Sequence, residues 1–210
     1  MDVGYFVQAL IGLFAVVDPF CAAALFAAMT TANSHEERRA MALRAAVVTF
    51  SVLVAFLFLG QAILHFFSIS LAAFQIAGGL VLGLMSMDSL KAFHTGVRTT
   101  SSEKSEGIAK PDVSVTPVAV PLLAGPGAIS LVVLYAAQYP GAAGHGVLVL
   151  VIAVVSGLAW LILRGADRMV ALVGQTGINV LSRLIGLLVL AIAVQFVVEG
   201  VAHIWVHSVA

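Results

Sequence analysis

Two short stretches of the chain place helix-breaking residues inside apolar runs that are long enough for membrane helices. The first is Asp18-Pro19 within GLFAVVDPFCAAALF, and the second is Gly125-Pro126-Gly127 within PLLAGPGAIS. Proline removes a backbone donor, glycine weakens a helix, and lipid offers no hydrogen bonds to the freed groups. Such breaks are tolerated where protein surrounds them or where they line a water-filled cavity. The N-terminal end of a half-helix attracts an anion, and the C-terminal end attracts a cation. An amino acid zwitterion carries both charges.

Asp18 is the ionisable residue of this arrangement, and two roles for it fit the sequence. It lies roughly 20 Å from Tyr5 along a helix, near the bilayer centre. An aspartate there costs about 2.5–3.5 kcal/mol and should face the protein interior. One role is a proton or cation site, or a partner for a substrate ammonium group. The other is a cap for the half-helix that begins at Pro19. The two roles are compatible.

The two breaks define the predicted substrate site. We predict substrate contacts from the residues at the breaks: Asp18, Pro19, Phe20, Cys21, Gly125, Pro126 and Gly127. Asp18 is also the candidate for coupling to a proton or another cation. Gln75, Thr116 and Gln195 are further candidates for lining the cavity, although interhelical hydrogen bonding suits the two glutamines equally well.

No group of residues in the sequence has the spacing of a catalytic or metal site. The single cysteine, Cys21, excludes an internal disulfide and a cysteine-based zinc site. His203 and His207 are four residues apart but have no evident third ligand, and Ser101-x-x-Lys104 lies in a polar stretch unsuited to a hydrolase site. We therefore expect neither an enzyme nor a resident metal or cofactor.

The composition is that of an integral membrane protein. Hydrophobic residues make up 61% of the 210 positions and charged residues 10%, whereas a soluble domain has roughly a quarter charged residues. The mean hydropathy is +1.12. We expect no nucleic-acid partner. Six segments are long enough to cross a bilayer: 5–30, 42–64, 71–93, 113–136, 146–164 and 183–205. The sequence thus predicts an all-α membrane protein with six transmembrane helices, the first and fourth of them broken. Asn33 or Ser34 is expected to cap the second helix.

All ten Lys and Arg residues fall in three of the connections between these segments. They lie between segments one and two, three and four, and five and six: Arg38, Arg39, Arg44, Lys91, Arg98, Lys104, Lys110, Arg164, Arg168 and Arg183. With six crossings these connections share one side of the membrane, which the positive-inside rule makes the cytoplasm, and both termini are then outside. No basic residue precedes the first apolar run, so we expect this run to be retained rather than cleaved as a secretory signal.

The two halves of the chain resemble each other. Each has a broken first helix, and Gly-x-Leu-Val-Leu recurs in the third helix of each half, at Gly78–Leu82 and Gly186–Leu190. Because three crossings are an odd number, the halves must run in opposite directions, as in the inverted repeats of many secondary transporters. We predict a first three-helix repeat at 1–93, a cytoplasmic linker at 94–112 and a second three-helix repeat at 113–210.

Four stretches carry a family resemblance: ALIGLFAVVDPF, SISLAAFQIAGGLVLGLMSMD, VTPVAVPLLAGPGAIS and RLIGLLVLAIAVQFVVEGV. They resemble the MarC/SnatA family of bacterial and archaeal inner-membrane proteins, over nearly the whole chain outside 94–112. The resemblance implies six spans and transport of small neutral amino acids such as glycine and alanine, coupled to a proton gradient. The chain departs from the family at Asp18, where the family usually has asparagine. A titratable residue there would make coupling to a proton more direct.

The leading hypothesis is a secondary transporter of small neutral amino acids in a bacterial or archaeal cytoplasmic membrane, coupled to H⁺ or Na⁺. One alternative is an exporter or channel for another small solute. Another is a membrane partner or sensor that transports nothing. A homo-oligomer is compatible with each of these hypotheses.

Overall fold

The computed structural model describes residues 3–91 and 112–209, and every regular element in these ranges is a helix. The helices are α1 (Val3–Val17), α2 (Pro19–Met29), α3 (His35–Phe66), α4 (Leu71–Lys91), α5 (Ser114–Leu123), α6 (Pro126–Gln138), α7 (Ala142–Arg164) and α8 (Ala166–Val209). Apart from Asp112, the predicted linker at 94–112 lies outside the described residues. The division of the chain into two repeats and a linker stays a prediction.

The helices include five to six candidate membrane spans. Five stretches of the described ranges are long and apolar enough to cross a membrane: Gly4–Met29, His35–Phe66, Leu71–Leu90, Ala142–Arg164 and Thr176–Trp205. A sixth span arises if α5 and α6, which meet at a bend of 54°, together form one broken span. The prediction of an all-helical membrane protein with a broken fourth segment is therefore confirmed. The first span is also interrupted, at Asp18 between α1 and α2, but without such a bend.

The last helix starts earlier than the sequence predicts. We predicted a sixth segment at 183–205, but the apolar span begins at Thr176. Arg183 accordingly lies within α8 and not in a connecting loop. Polar residues near the start of the span lower its hydropathy, which is why the apolar pattern becomes evident late. Gly174, with φ of +67°, interrupts α8 and separates a short leading helix from the span.

Helix α3 begins at a capping box. The Ser34 hydroxyl accepts a hydrogen bond from the backbone N–H of Glu37 at 3.3 Å, and Glu37 Oε2 accepts one from the backbone N–H of Ser34 at 2.8 Å. This reciprocal pair satisfies donors that the start of a helix leaves open. Of the two predicted caps, Asn33 and Ser34, the structure uses Ser34.

Two long-range ion pairs bring the basic connections together at one end of the helix bundle. Arg38, at the start of α3, pairs with Asp167 of α8, and Arg44 pairs with Asp112 at 2.6 Å. Burial alone would raise the pKa of Asp112, but hydrogen bonds from Ser114 and Arg44 outweigh burial and hold this pKa below its usual value. The Asp112 carboxylate is therefore charged at neutral pH. We call this region the basic end.

Helices α4 and α8 pack along a seam of small residues, which we call the glycine seam. A methyl group added at Gly79 would lie 2.7 Å from the carbonyl oxygen of Ala193, and one added at Gly186 would lie 2.9 Å from Ser89 Cβ. As the residue number rises along α4, that of its α8 partner falls, so the two helices are antiparallel. Small residues allow this close approach of two backbones, which favours association of membrane helices.

We expect Gly79→Ala to destabilise the protein more than Gly83→Ala, although both positions face α8. The added methyl group at Gly79 meets a backbone carbonyl, whereas the one at Gly83 would lie 3.9 Å from Ala193 Cβ, an ordinary contact. Overpacking of this kind costs about 1–3 kcal/mol. Thermal unfolding of the two variants in the same detergent measures the difference, with Gly83→Ala as the control. Equal losses of stability in the two variants would contradict a tight seam at Gly79.

Candidate functional site

The first helix interruption is centred on Asp18. Its backbone is left-handed (φ 46°, ψ 66°), and its carboxylate caps α2 by accepting a hydrogen bond from the N–H of Cys21 at 3.3 Å. Pro19 follows at the first helical position, where its missing N–H has no intrahelical partner to lose. The N–H of Asp18 donates to Phe14 at 3.0 Å, and its carbonyl accepts from Ala22 at 3.2 Å. Asp18 therefore performs the capping role, and it is 1% exposed.

The second interruption lies between α5 and α6, and prolines shape it. Thr116 and Val120 have extended backbone inside the π-helical α5, because each precedes a proline and that position disfavours helical geometry. Gly125 is also extended and gives no side-chain hydrogen bond to α6, which begins at Pro126. The start of α6 therefore has backbone N–H groups that its own cap residue does not bind.

The two interruptions lie side by side in the bundle. Tyr5, near the start of α1, stacks on Tyr139 just after α6, with ring centroids 3.6 Å apart. Near the other end of α1, a methyl group added at Gly127 would lie 3.4 Å from Val16 Cγ1. Helices α1 and α6 are therefore antiparallel, and α2 also contacts α5. Val16 lies roughly 16 Å along α1 from Tyr5, about half-way through a hydrocarbon core of about 30 Å.

The structure gives the predicted site residues different degrees of burial. The buried members of the two breaks are Asp18, Pro19, Gly125 and Gly127. The half-buried members are Phe20 and Cys21, whereas Pro126 and Thr116 are exposed. The approach between the two breaks is made by Gly127 and by Val16, which lies two residues before Asp18.

Helix α4 contributes residues at the second interruption that the sequence did not single out. A methyl group added at Gly127 would lie 2.7 Å from Leu82 Cδ2 and 3.1 Å from Met85 Sδ. Both side chains lie in the apolar stretch 76–85 of α4, so no local pattern distinguishes them. Ala22 and Ala128, in the first turns of α2 and α6, are buried as well. The region around the interruptions is therefore closely packed and mostly apolar.

A second polar cluster connects α4 to α8, away from the basic end. Gln75 donates a hydrogen bond to one carboxylate oxygen of Glu199 at 2.8 Å, and Gln195 donates to the other at 2.7 Å. Gln75 is buried and Gln195 is exposed. Gln75 and Glu199 line a cavity of about 260 Å³ together with Gln138 and His203. Gln75 thus bridges two helices and also lines a cavity, while Gln195 orients the carboxylate from its own helix.

The amino-acid sequence matches a known protein family. The model of the MarC family integral membrane proteins matches residues 3–205. The chain belongs to the MarC family. The resemblance seen in the sequence is therefore confirmed over nearly the full length, both interruptions included.

Relatives of this MarC-family chain occur in archaea and bacteria. UPF0056 membrane protein MJ1677 of Methanocaldococcus jannaschii is 33% identical over 201 residues, which cover 96% of this chain and 98% of the relative. UPF0056 membrane protein YhcE of Escherichia coli is 34% identical over 195 residues, which cover 93% and 91%. UPF0056 membrane protein YvbG of Bacillus subtilis is 32% identical over 201 residues, with 95% of each chain covered. No solved structure gives a significant match. These names describe membrane proteins and state no substrate.

We expect Asp18→Ala to lower the free energy of unfolding by about 2–3 kcal/mol, because it removes a cap and leaves alanine in a left-handed conformation. Asp18→Asn should keep most of the stability, since an amide oxygen also caps a helix and asparagine tolerates this conformation. Thermal unfolding in detergent compares the two variants. If both variants lost the same stability, the negative charge and not the cap would be what stabilises the interruption.

Proposed function

We propose that this MarC-family chain is a secondary transporter of small neutral amino acids, of the glycine and alanine class, coupled to H⁺ or Na⁺. The observation that supports this most directly is the meeting of two interrupted helices inside the bundle, with Asp18 buried at one of them. In many transporters, broken helices at corresponding positions of two halves form the substrate site near the bilayer midplane. The family resemblance of the sequence implies the same class of substrate.

The two interruptions offer complementary groups to a zwitterion. The start of α6 presents backbone N–H groups and the positive end of a helix dipole, which favour a substrate carboxylate. Gly125 adds no capping side chain that would compete for these donors. Asp18 supplies the negative charge, as a partner for the substrate ammonium or as the group that carries the coupled proton. Two further residues of the proposed site, Pro19 and Pro126, fix where the two half-helices begin.

The packing around the interruptions favours a small side chain on the substrate. Gly127 approaches Leu82 and Met85 so closely that an added methyl group would crowd both side chains. Glycine and alanine fill little volume beyond their charged groups. We therefore propose that larger neutral amino acids are excluded by size and not by charge.

We further propose that the two halves form an inverted repeat. Aligning the two Gly-x-Leu-Val-Leu motifs places Gly79 on Leu187 and Met85 on Ala193. The contact between Gly79 and Ala193 therefore corresponds, in a repeat, to a pair formed by Leu187 and Met85. This pair adjoins Gly186, which closely approaches α4. A contact between Leu187 and Met85 is what a two-fold relation between α4 and α8 would require.

We propose that the basic end faces the cytoplasm and that both termini lie on the opposite side. The ion pairs of Arg38 and Arg44 gather three connections at one end of the bundle. An excess of basic residues in short connections favours retention on the cytoplasmic side.

Flux into liposomes tests the proposed function. We expect reconstituted protein to accumulate labelled glycine and alanine when an inward proton or sodium gradient is imposed, and the two gradients are applied separately to identify the coupling ion. Asp18→Asn should retain exchange of internal and external glycine but lose accumulation driven by a proton gradient, since the amide keeps the cap and cannot titrate. Glu199→Gln is the comparison variant, because it removes a carboxylate at the other polar cluster and should leave coupling intact.

Flux of glycine and alanine equal to that of empty liposomes would overturn the substrate class. Gradient-driven flux of a different small solute would instead support an exporter or channel. Coupling lost in Glu199→Gln and retained in Asp18→Asn would move the coupling site to the second polar cluster.

Cys21 provides a separate test, since it is the single cysteine of the chain and its backbone N–H is bound by Asp18. We expect a small methanethiosulfonate reagent to label Cys21 from the aqueous phase in liposomes. Saturating glycine should slow the labelling, whereas leucine should not, because the site excludes larger side chains. Cys21→Ser is the control for reagent specificity. Labelling that occurred after denaturation and never in the folded protein would favour a membrane partner that transports nothing.

A further inference from the structure

A groove of about 820 Å³ opens at the basic end, away from the two interruptions. It lies between the start of α3, the last turn of α7 and the start of α8. Four arginines from these three helices line it: Arg38, Arg39, Arg164 and Arg168. Arg38 and Arg39 are far in sequence from Arg164 and Arg168, so the fold is what brings these two pairs together.

The charges in this groove do not cancel. Asp167 and Glu36 are the carboxylates that line it. The terminal nitrogens Nη1 and Nη2 of Arg38 contact the two carboxylate oxygens of Asp167, so the charges of this pair neutralise each other. Three arginines then face one carboxylate, that of Glu36. Within residues 3–91 and 112–209, neither Arg39 nor Arg168 forms an ion pair. The groove therefore retains a positive charge that suits an anion.

The groove also has an apolar wall. The guanidinium group of Arg164 lies over the ring of Trp160, with Cζ 5.5 Å from the ring centroid. This cation–π contact restrains the guanidinium group. Leu161 lines the same groove and is 55% exposed, although it belongs to a membrane-spanning helix. A ligand that matches this surface carries negative charge at one end and hydrocarbon at the other.

We propose that this groove binds the phosphate of an anionic glycerophospholipid, whose acyl chain lies along α7 beside Leu161. Arg39, Arg164 and Arg168 contact the phosphate, because guanidinium groups bind phosphate oxygens in a bidentate manner. A free phosphate ion shares this chemistry but leaves the apolar wall uncovered. A zwitterionic lipid brings its own cation, which the arginines repel. Basic pockets between membrane helices are suited to anionic lipid headgroups on physical grounds.

Native mass spectrometry of the purified protein in detergent tests this proposal. Phosphatidylglycerol, phosphatidylcholine with the same acyl chains, glycerol 3-phosphate and inorganic phosphate are titrated separately. We expect phosphatidylglycerol to bind at least tenfold more tightly than each of the others. Arg168→Gln should weaken its binding about fivefold, and replacing Arg39, Arg164 and Arg168 together by glutamine should weaken it roughly a hundredfold.

Arg183→Gln is the matched control, because Arg183 is also an exposed arginine of α8 but does not line the groove. Its binding of phosphatidylglycerol should equal that of the unaltered protein. Replacing the three groove arginines by lysine keeps the positive charge, so the lysine variant should still prefer phosphatidylglycerol. This preference can be measured even if the glutamine variant is poorly folded.

Three results would overturn the proposal. The first is equal affinity for phosphatidylcholine and phosphatidylglycerol. The second is equal weakening by Arg168→Gln and Arg183→Gln, which would indicate a diffuse charge effect. The third is tighter binding of inorganic phosphate than of phosphatidylglycerol, which would indicate a site for a soluble anion.

Discussion

The hydrocarbon interior of a membrane offers no hydrogen bonds, and the rest of this structure depends on that constraint. Every interrupted turn must find its partners within the protein. At Asp18 the chain satisfies its backbone locally, through a side-chain cap and two main-chain hydrogen bonds. In α5 the chain keeps two local main-chain hydrogen bonds, from the N–H of Val118 to Val113 and from that of Ala124 to Ala119. Helix α5 also packs against α2 and α3 with most of its residues buried. Other helices therefore cover much of both interruptions.

The same constraint separates the polar chemistry of the molecule into distinct regions. Arginines and their ion pairs collect at the basic end. The carboxylate of Glu199 lies elsewhere in the bundle and is held by two glutamine amides. Between these regions lies an apolar interior, in which Asp18 is buried. A charged solute that crosses such a bundle would meet complementary groups at a few places and apolar surface between them.

The sequence predicted features with local causes and missed features that arise from tertiary packing. Asp-Pro and Gly-Pro-Gly disturb a helix wherever they occur, so both interruptions were predictable, as was a cap at Ser34. The packing of Met85 against Gly127 was not, because apolar helices carry no signal for which face meets which neighbour. The pairing of Gln75 with Glu199 likewise joins residues 124 positions apart. The sequence predicted that the sixth span begins at residue 183 and not at Thr176, because hydropathy averages polar and apolar residues over several turns.

The glycine seam has a consequence for how the protein can move. The backbones of α4 and α8 touch at Gly79 and Gly186 with no room for even one methyl group, so sliding either helix past the other would drive atoms into a carbonyl or a Cβ. The two helices must therefore behave as one rigid frame, to which the remaining helices are attached. If the protein transports a solute as proposed, a rearrangement that opens it to one side and then to the other would fall on the elements that are already interrupted. The left-handed turn at Asp18 and the bend between α5 and α6 would then be the places at which half-helices move against that frame.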